Sequence, residues 1–233
     1  PLFLVNSLGL STVRTGVVLA AMALGSFLSG ASARHLAARM GATGVVVLGL
    51  SLEVIGVGLL AWVVGAQGST WLNVLTLVVY GIGLGLASAQ LTSTVLHDIP
   101  ADQSGAGSAT QSTVRQLGSA LGAAIAGSAL GSAMNHTIPD AVTSASRVPA
   151  RALDTLVRAT QSSAGSAIPG LRNAPPTSPF IRPLGESRDA VIGGLETGFA
   201  HAAAWSIGLS SLFLIIGLLG AIMVRHQARK QVS

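Results

Sequence analysis

Long uncharged runs dominate this chain. No Asp, Glu, Lys or Arg lies between Arg14 and Arg34, between Arg39 and Glu53, between Glu53 and Asp98, or between Glu196 and Arg225. The gaps are filled with Leu, Val, Ala and Gly. Water would not require such a pattern, whereas a bilayer core about 30 Å thick needs roughly 20 mainly apolar residues per helical pass. The pattern predicts an all-α, polytopic transmembrane helix bundle. Complete spans are expected at 15–33, 43–64, 71–96, 105–130 and 196–224. Residues 1–8 read as the last turns of a sixth span whose beginning is missing.

The polar breaks fix the rest of the organisation. A glycine-bounded turn at 9–16 precedes the first complete span, and a basic loop at 34–41 follows it. The uncharged turn at 65–70 is flanked by Trp62 and Trp71, rings that favour the membrane interface. Residues 97–102 end the third complete span. Residues 131–195 differ in character, holding seven of the nine prolines, six arginines and four acids. They are expected to form a long polar loop. One short helix is predicted in it at 151–158, where apolar positions recur at helical spacing and Asp154 can meet Arg158 at i+4.

Four spans separate the basic 34–41 loop from the basic tail at 225–233, so both must lie on one side. The positive-inside rule makes that side cytoplasmic, with the 131–195 loop outside a plasma (inner) membrane.

Composition agrees with this reading. Charged residues make up 9% of the chain, against about 25% for a typical soluble domain, and mean hydropathy is +0.66. The net charge of +5 and pI near 11.3 do not point to nucleic acid, because the basic residues are scattered and few aromatics lie between them. With no cysteine, disulfides and thiolate metal sites are excluded. No nucleotide-binding glycine loop, nucleophile–base arrangement or metal-ligand spacing occurs, so neither an enzyme nor a cofactor is expected. The chain begins with Pro1 rather than Met, and the expectation is a piece of a longer protein.

Two charges fall inside spans. Glu53 lies roughly 15 Å into its helix counted from Thr43, where an ionised carboxylate costs about 2.5–3.5 kcal/mol on insertion scales. It is either a proton-relay or cation-binding carboxylate, or a structural hydrogen-bond acceptor to a neighbouring helix. Arg115 lies roughly 16 Å from Ser104 and stays protonated, so it needs an anion, carbonyls or water. Matching depth suggests a Glu53–Arg115 pair; a substrate carboxylate or the headgroups are the alternatives. Tyr80, Gln90, Thr94, Gln111 and Thr113 are candidates to line a polar pathway. Small residues recur at helical spacing at Gly25/Ser29, Gly81/Gly85 and Gly118/Gly122, a pattern that lets helices approach closely. Glu196 and His201 read as markers of the outer interface.

Two stretches go further than composition. Residues 8–25 (LGLSTVRTGVVLAAMALG) with 36–41 (LAARMG) resemble the second and third segments of the carboxyl half of major facilitator transporters. Residues 99–122 (IPADQSGAGSATQSTVRQLGSALG) resemble the segment before the long outer loop in fourteen-span drug:proton antiporters of the EmrB/QacA type. In the 34–41 loop motif, Arg34, Arg39 and Gly41 are present, while Ala38, Ala42 and Thr43 replace an acid and two basic residues usual in that family. The resemblance implies a secondary transporter that exports drugs or other lipophilic compounds against protons by alternating access. Its partners would be the lipid bilayer, a small-molecule substrate, protons and the missing amino-terminal half. The alternatives are a metabolite transporter of the same superfamily or a non-transporting membrane subunit.

Overall fold

The computed structural model describes residues 2–66, 68–96, 99–143 and 148–230. Pro1, the expected break at His97 and Asp98, Arg147 and the tail residues 231–233 lie outside the described residues, as do the side chains of Arg229 and Lys230. Every regular element described is helical: α1 (Leu2–Asn6), α2 (Thr12–Met40), α3 (Ala42–Gly65), α4 (Thr70–Val95), α5 (Ser104–Thr143), α6 (Ala150–Ser162), α7 (Ala167–Asn173) and α8 (Arg188–Lys230), with short 3-10 turns at Ala101–Gln103 and Arg182–Ser187. Five of these helices are long and apolar enough to cross a membrane. The chain is an all-α transmembrane bundle.

Local chemistry sets the helix ends. The Ser11 hydroxyl accepts from the Arg14 N–H at 3.3 Å and caps α2. At the other end Gly41 adopts φ +79° and donates its N–H to the Ala37 carbonyl. That φ falls where a side chain would strain the backbone, so a single residue turns the chain from α2 into α3. The expected 34–41 loop is therefore helix almost to its end. Arg34 and Arg39 are exposed on the last turns of α2, because nothing before Gly41 breaks the hydrogen-bond ladder.

The spans pack in the lateral order α2, α4, α3, α8, α5. Contacts at glycines give their directions. Gly25 and Gly30 of α2 meet Val78, Ile82 and Gly85 of α4, so α2 and α4 run parallel. Gly49 and Gly56 of α3 meet Ala87 and Tyr80 of α4, an antiparallel pair. Gly44 and Gly65 at the two ends of α3 face Arg225 and Ala204 of α8, again antiparallel. The Thr137 hydroxyl donates to the Gly198 carbonyl at 2.8 Å, and that of Ser206 to the Ala126 carbonyl at 2.7 Å, which sets α5 antiparallel to α8. The α2–α3 turn and the end of α8 thus share one side of the bundle.

The largest departure from the sequence pattern concerns residues 131–195. Helices α5 and α8 contain 40 and 43 residues, about 60 and 65 Å at 1.5 Å per residue, twice the hydrocarbon thickness. Each continues beyond the bundle. There, with α6, α7 and the turn at Arg182–Ser187, they enclose a core of Met134, Ile138, Val142, Leu156, Ile168, Leu184, Val191, Leu195 and Phe199. The segment expected as a loop is a helical lobe, because apolar residues spaced three to four apart give each helix a stripe to bury. The expected helix at 151–158 is the centre of α6. Its Asp154–Arg158 pair forms, with the Arg158 Nε 3.0 Å from the Asp154 Oδ1.

A second cluster joins lobe and bundle. Phe3 and Leu4 of α1 are buried with Val18, Val64, Leu77, Ala200 and Ala203, so the short α1 sits among α2, α3, α4 and α8.

Candidate functional site

Glu53 occupies the middle of α3, roughly 17 Å from Ala42 along the helix axis. It points into the contact with α4 and is only 5% exposed. Glycine makes the room. A Cβ at Gly83 of α4 would lie 2.6 Å from the Gly49 carbonyl oxygen, 2.7 Å from the Glu53 nitrogen and 3.0 Å from its Cγ. Across the same contact, a Cβ at Gly56 would lie 2.7 Å from the Tyr80 nitrogen. Among the described residues, no hydrogen bond or ion pair reaches the Glu53 carboxylate; their ion pairs are Arg158–Asp154 and Arg172–Glu196.

The Glu53–Arg115 pair is therefore not formed. Both residues sit at mid-span, but depth fixes only one coordinate. Helix α5 packs mainly along α8 and touches α4 near its own start, which leaves Arg115 exposed on the α5 surface. Gln111 is the point where α5 reaches α4: its Nε2 donates to the Thr92 hydroxyl at 3.1 Å. Gln90 is buried in α4, and its carbonyl accepts from the Thr94 hydroxyl at 2.9 Å. The Thr113 hydroxyl returns to its own helix, on the Ala109 carbonyl.

The small-residue pairs divide. Gly81 and Gly85 of α4 meet the α2 backbone at Met22 and Ser26, with the Ser29 hydroxyl beside Gly85, so the Gly25/Ser29 and Gly81/Gly85 faces meet each other. Gly83, two residues from each, faces the opposite way onto α3. Gly118 and Gly122 have no described atom within 4 Å of a Cβ position, on a stretch of α5 that also exposes Val114, Leu117 and Leu121.

Sequence reasoning missed two features. One is the α3–α4 glycine set of Gly49, Gly56 and Gly83. The seven-residue spacing of Gly49 and Gly56, with Glu53 between them, was its available signal. The other ties the lobe to α1. The Arg172 guanidinium pairs with Glu196, its Nε 2.8 Å from the Oε1, and also donates to the Ser7 carbonyl at 3.2 Å. The Ser7 hydroxyl donates to the Glu196 carbonyl at 2.7 Å. Arg188 braces this latch by donating to the Arg172 and Ala174 carbonyls, both at 2.8 Å. No sequence signal links residues so far apart. Glu196, expected as an interface marker, is the acid of this latch.

A bundle of five apolar spans, with a carboxyl group buried between two of them, defines a polytopic helical membrane protein. The profile of the Major Facilitator Superfamily matches residues 1–123, and the chain belongs to that family of transporters. The riboflavin transporter RibZ of Clostridioides difficile (strain 630) is 29% identical over 124 residues, covering 52% of this chain and 26% of that protein. The matched length is thus about a quarter of that curated relative. No solved structure gives a significant match. The lobe lies beyond the residues that the family profile matches.

Proposed function

We propose that this chain is part of a proton-coupled secondary transporter that moves a small organic solute across the plasma membrane by alternating access, with Glu53 as its proton-carrying group. One observation carries the reading: a carboxyl group midway along a membrane-length helix, buried in a niche made by glycine, with no counter-charge among the described residues. A fixed charge there would cost about 2.5–3.5 kcal/mol with no gain. A group that takes up and releases a proton as water reaches it from alternate sides gives proton binding a differential effect on the two access states, as coupling requires. Gln90, and Gln111 with Thr92, would supply uncharged polar contacts along the pathway. Arg115 would be a fixed cation suited to an anionic part of the solute.

For the solute, a metabolite is the better-supported class. The relative's name is that of a riboflavin transporter, a likeness over half of this chain. Export of lipophilic drugs is the second reading, and the resemblance of residues 99–122 to drug:proton antiporters favours it. In either case we place Arg34, Arg39, Arg225 and the tail in the cytoplasm, the lobe outside, and the remainder of the pathway in chain beyond these residues.

The test is Glu53→Gln in the complete transporter, reconstituted in proteoliposomes under an imposed proton gradient. Glutamine imitates the protonated acid. Gradient-driven accumulation should fall at least tenfold, while solute exchange without a gradient persists. Unchanged gradient-driven transport at normal protein levels would refute the role of Glu53. A panel of flavins, other metabolites and lipophilic dyes in the same vesicles separates the two solute classes.

A further inference from the structure

Away from the pathway, α5 and α8 leave a groove on the side opposite the lobe's core. Its upper part has a volume of about 580 Å³ and is lined by Asp140, Gly193, Thr197 and His201. One helical turn nearer the bundle it continues as a space of about 440 Å³ along Ser132, Ala133, His136 and Trp205. A third section, of about 350 Å³, runs past Gly208, Leu209 and Leu212. The groove therefore changes along its length from carboxylate and imidazole to hydrocarbon.

Its depth in the bilayer can be read from tryptophan. Trp62 near the end of α3, Trp71 at the start of α4 and Trp205 of α8 are 68%, 72% and 73% exposed. Ala204 faces Gly65 at the end of α3, so the three rings form a belt at one level, as at a membrane interface. His201 lies roughly 6 Å and Thr197 roughly 12 Å above Trp205 along α8, while Leu209 and Leu212 lie roughly 6 and 10 Å below it. Side chains lean toward the N-terminus of their helix, which for α5 tilts Asp140 down toward the belt. By the contacts of Gly194 with Ala141 and Gly198 with Ile138, Asp140 lies roughly 13 Å above Trp205 along the helix axis before that tilt. The imidazoles thus sit at headgroup level with the carboxylate at its outer edge, and the apolar sections sit at acyl-chain level.

We infer that this groove binds one aminophospholipid from the leaflet on the lobe side, its ammonium on Asp140, its phosphate within reach of His136 and His201, and an acyl chain along Trp205, Leu209 and Leu212. Among the described residues no ion pair reaches Asp140, so its charge is available to a ligand. Among the described residues, the groove lining includes no Arg or Lys. An anionic headgroup would meet Asp140 without compensation. A primary ammonium donates hydrogen bonds to a carboxylate, which a choline group cannot do. Each imidazole can donate an N–H to a phosphate.

The test is native mass spectrometry of the purified protein with phosphatidylethanolamine, phosphatidylcholine and phosphatidylglycerol carrying identical acyl chains. One phosphatidylethanolamine should be retained at least tenfold better than either of the others. Asp140→Asn should reduce it to the phosphatidylcholine level. Ser132→Phe, an exposed position whose new ring fills the middle section, should lower retention about tenfold with Asp140 intact. Circular dichroism and gel filtration confirm that both variants are folded. Equal retention of the three lipids, or undiminished phosphatidylethanolamine binding by folded Asp140→Asn, would overturn the inference.

Discussion

Two glycines of α3, only two residues apart, should respond in opposite directions to the same substitution. At Gly56 an added Cβ would lie 2.7 Å from the Tyr80 nitrogen and 2.8 Å from its Cα. Ordinary contact begins at 3.4 Å, so α3 and α4 must part by about 0.7 Å there. A gap of that size forfeits roughly a quarter to a half of each dispersion contact it opens, and overpacking of this kind costs about 1–3 kcal/mol. At Gly58 nothing lies within 4 Å, and exchanging a helical glycine for alanine gains about 0.5–1 kcal/mol from the unfolded chain's lost freedom. Gly56→Ala receives the same gain, so the two variants should differ by about 2 kcal/mol. At roughly 2–4 °C per kcal/mol for a chain of this size, their melting temperatures should differ by about 4–8 °C. Thermal unfolding of both in one detergent, followed by circular dichroism, measures this. If Gly56→Ala melts as high as Gly58→Ala, α3 and α4 do not approach this closely.

Other consequences are as specific. Arg172→Ala should cost about 1.5–3 kcal/mol, the usual worth of charged hydrogen bonds. It should also speed hydrogen exchange at the Leu8 and Leu10 amides, which bond to the Phe3 and Leu4 carbonyls; a double-mutant cycle with Glu196→Ala that gives no coupling would dismiss the latch. Ile138→Ala, in the lobe core with no exposed surface, should destabilise by about 2–5 kcal/mol, and a loss under 1 kcal/mol by denaturant titration would contradict that packing. Because the chain has no cysteine, single substitutions report topology directly. Thr177→Cys should react with an impermeant maleimide in intact cells and Ala38→Cys only after permeabilisation, and the reverse pattern would invert the proposed orientation.

How much of this was legible beforehand depended on which coordinate a residue type encodes. Hydropathy encodes depth, and the spans at 43–64 and 71–96 coincide closely with α3 and α4. The depth of Glu53 was equally readable. Its surroundings were not, because Gly83 becomes its neighbour only through the antiparallel register of α3 and α4. Arg115 shows the same limit from the other side: a correct depth, but an azimuth set by α5 packing on α8. The lobe was hidden for a different reason. Its prolines and arginines speak against a span, while the stripe of Met134, Ile138 and Val142 that continues α5 is spread too thinly among small residues to stand out. Paired glycines on α2 and α4 announced a close contact, whereas an identical pair at 118 and 122 has none among the described residues. Spacing permits an approach but names no partner.

Helix α4 has a mechanical consequence for any working cycle. Gly81 and Gly85 hold its backbone against α2, and Gly83 holds it against α3 from the other flank. Rolling or sliding α4 past either neighbour would bring side chains such as Ile82 and Leu84 against backbone where only glycine now fits. Large relative movement of the three helices is thereby disfavoured, and water can reach Glu53 only through a small parting of the α3–α4 contact.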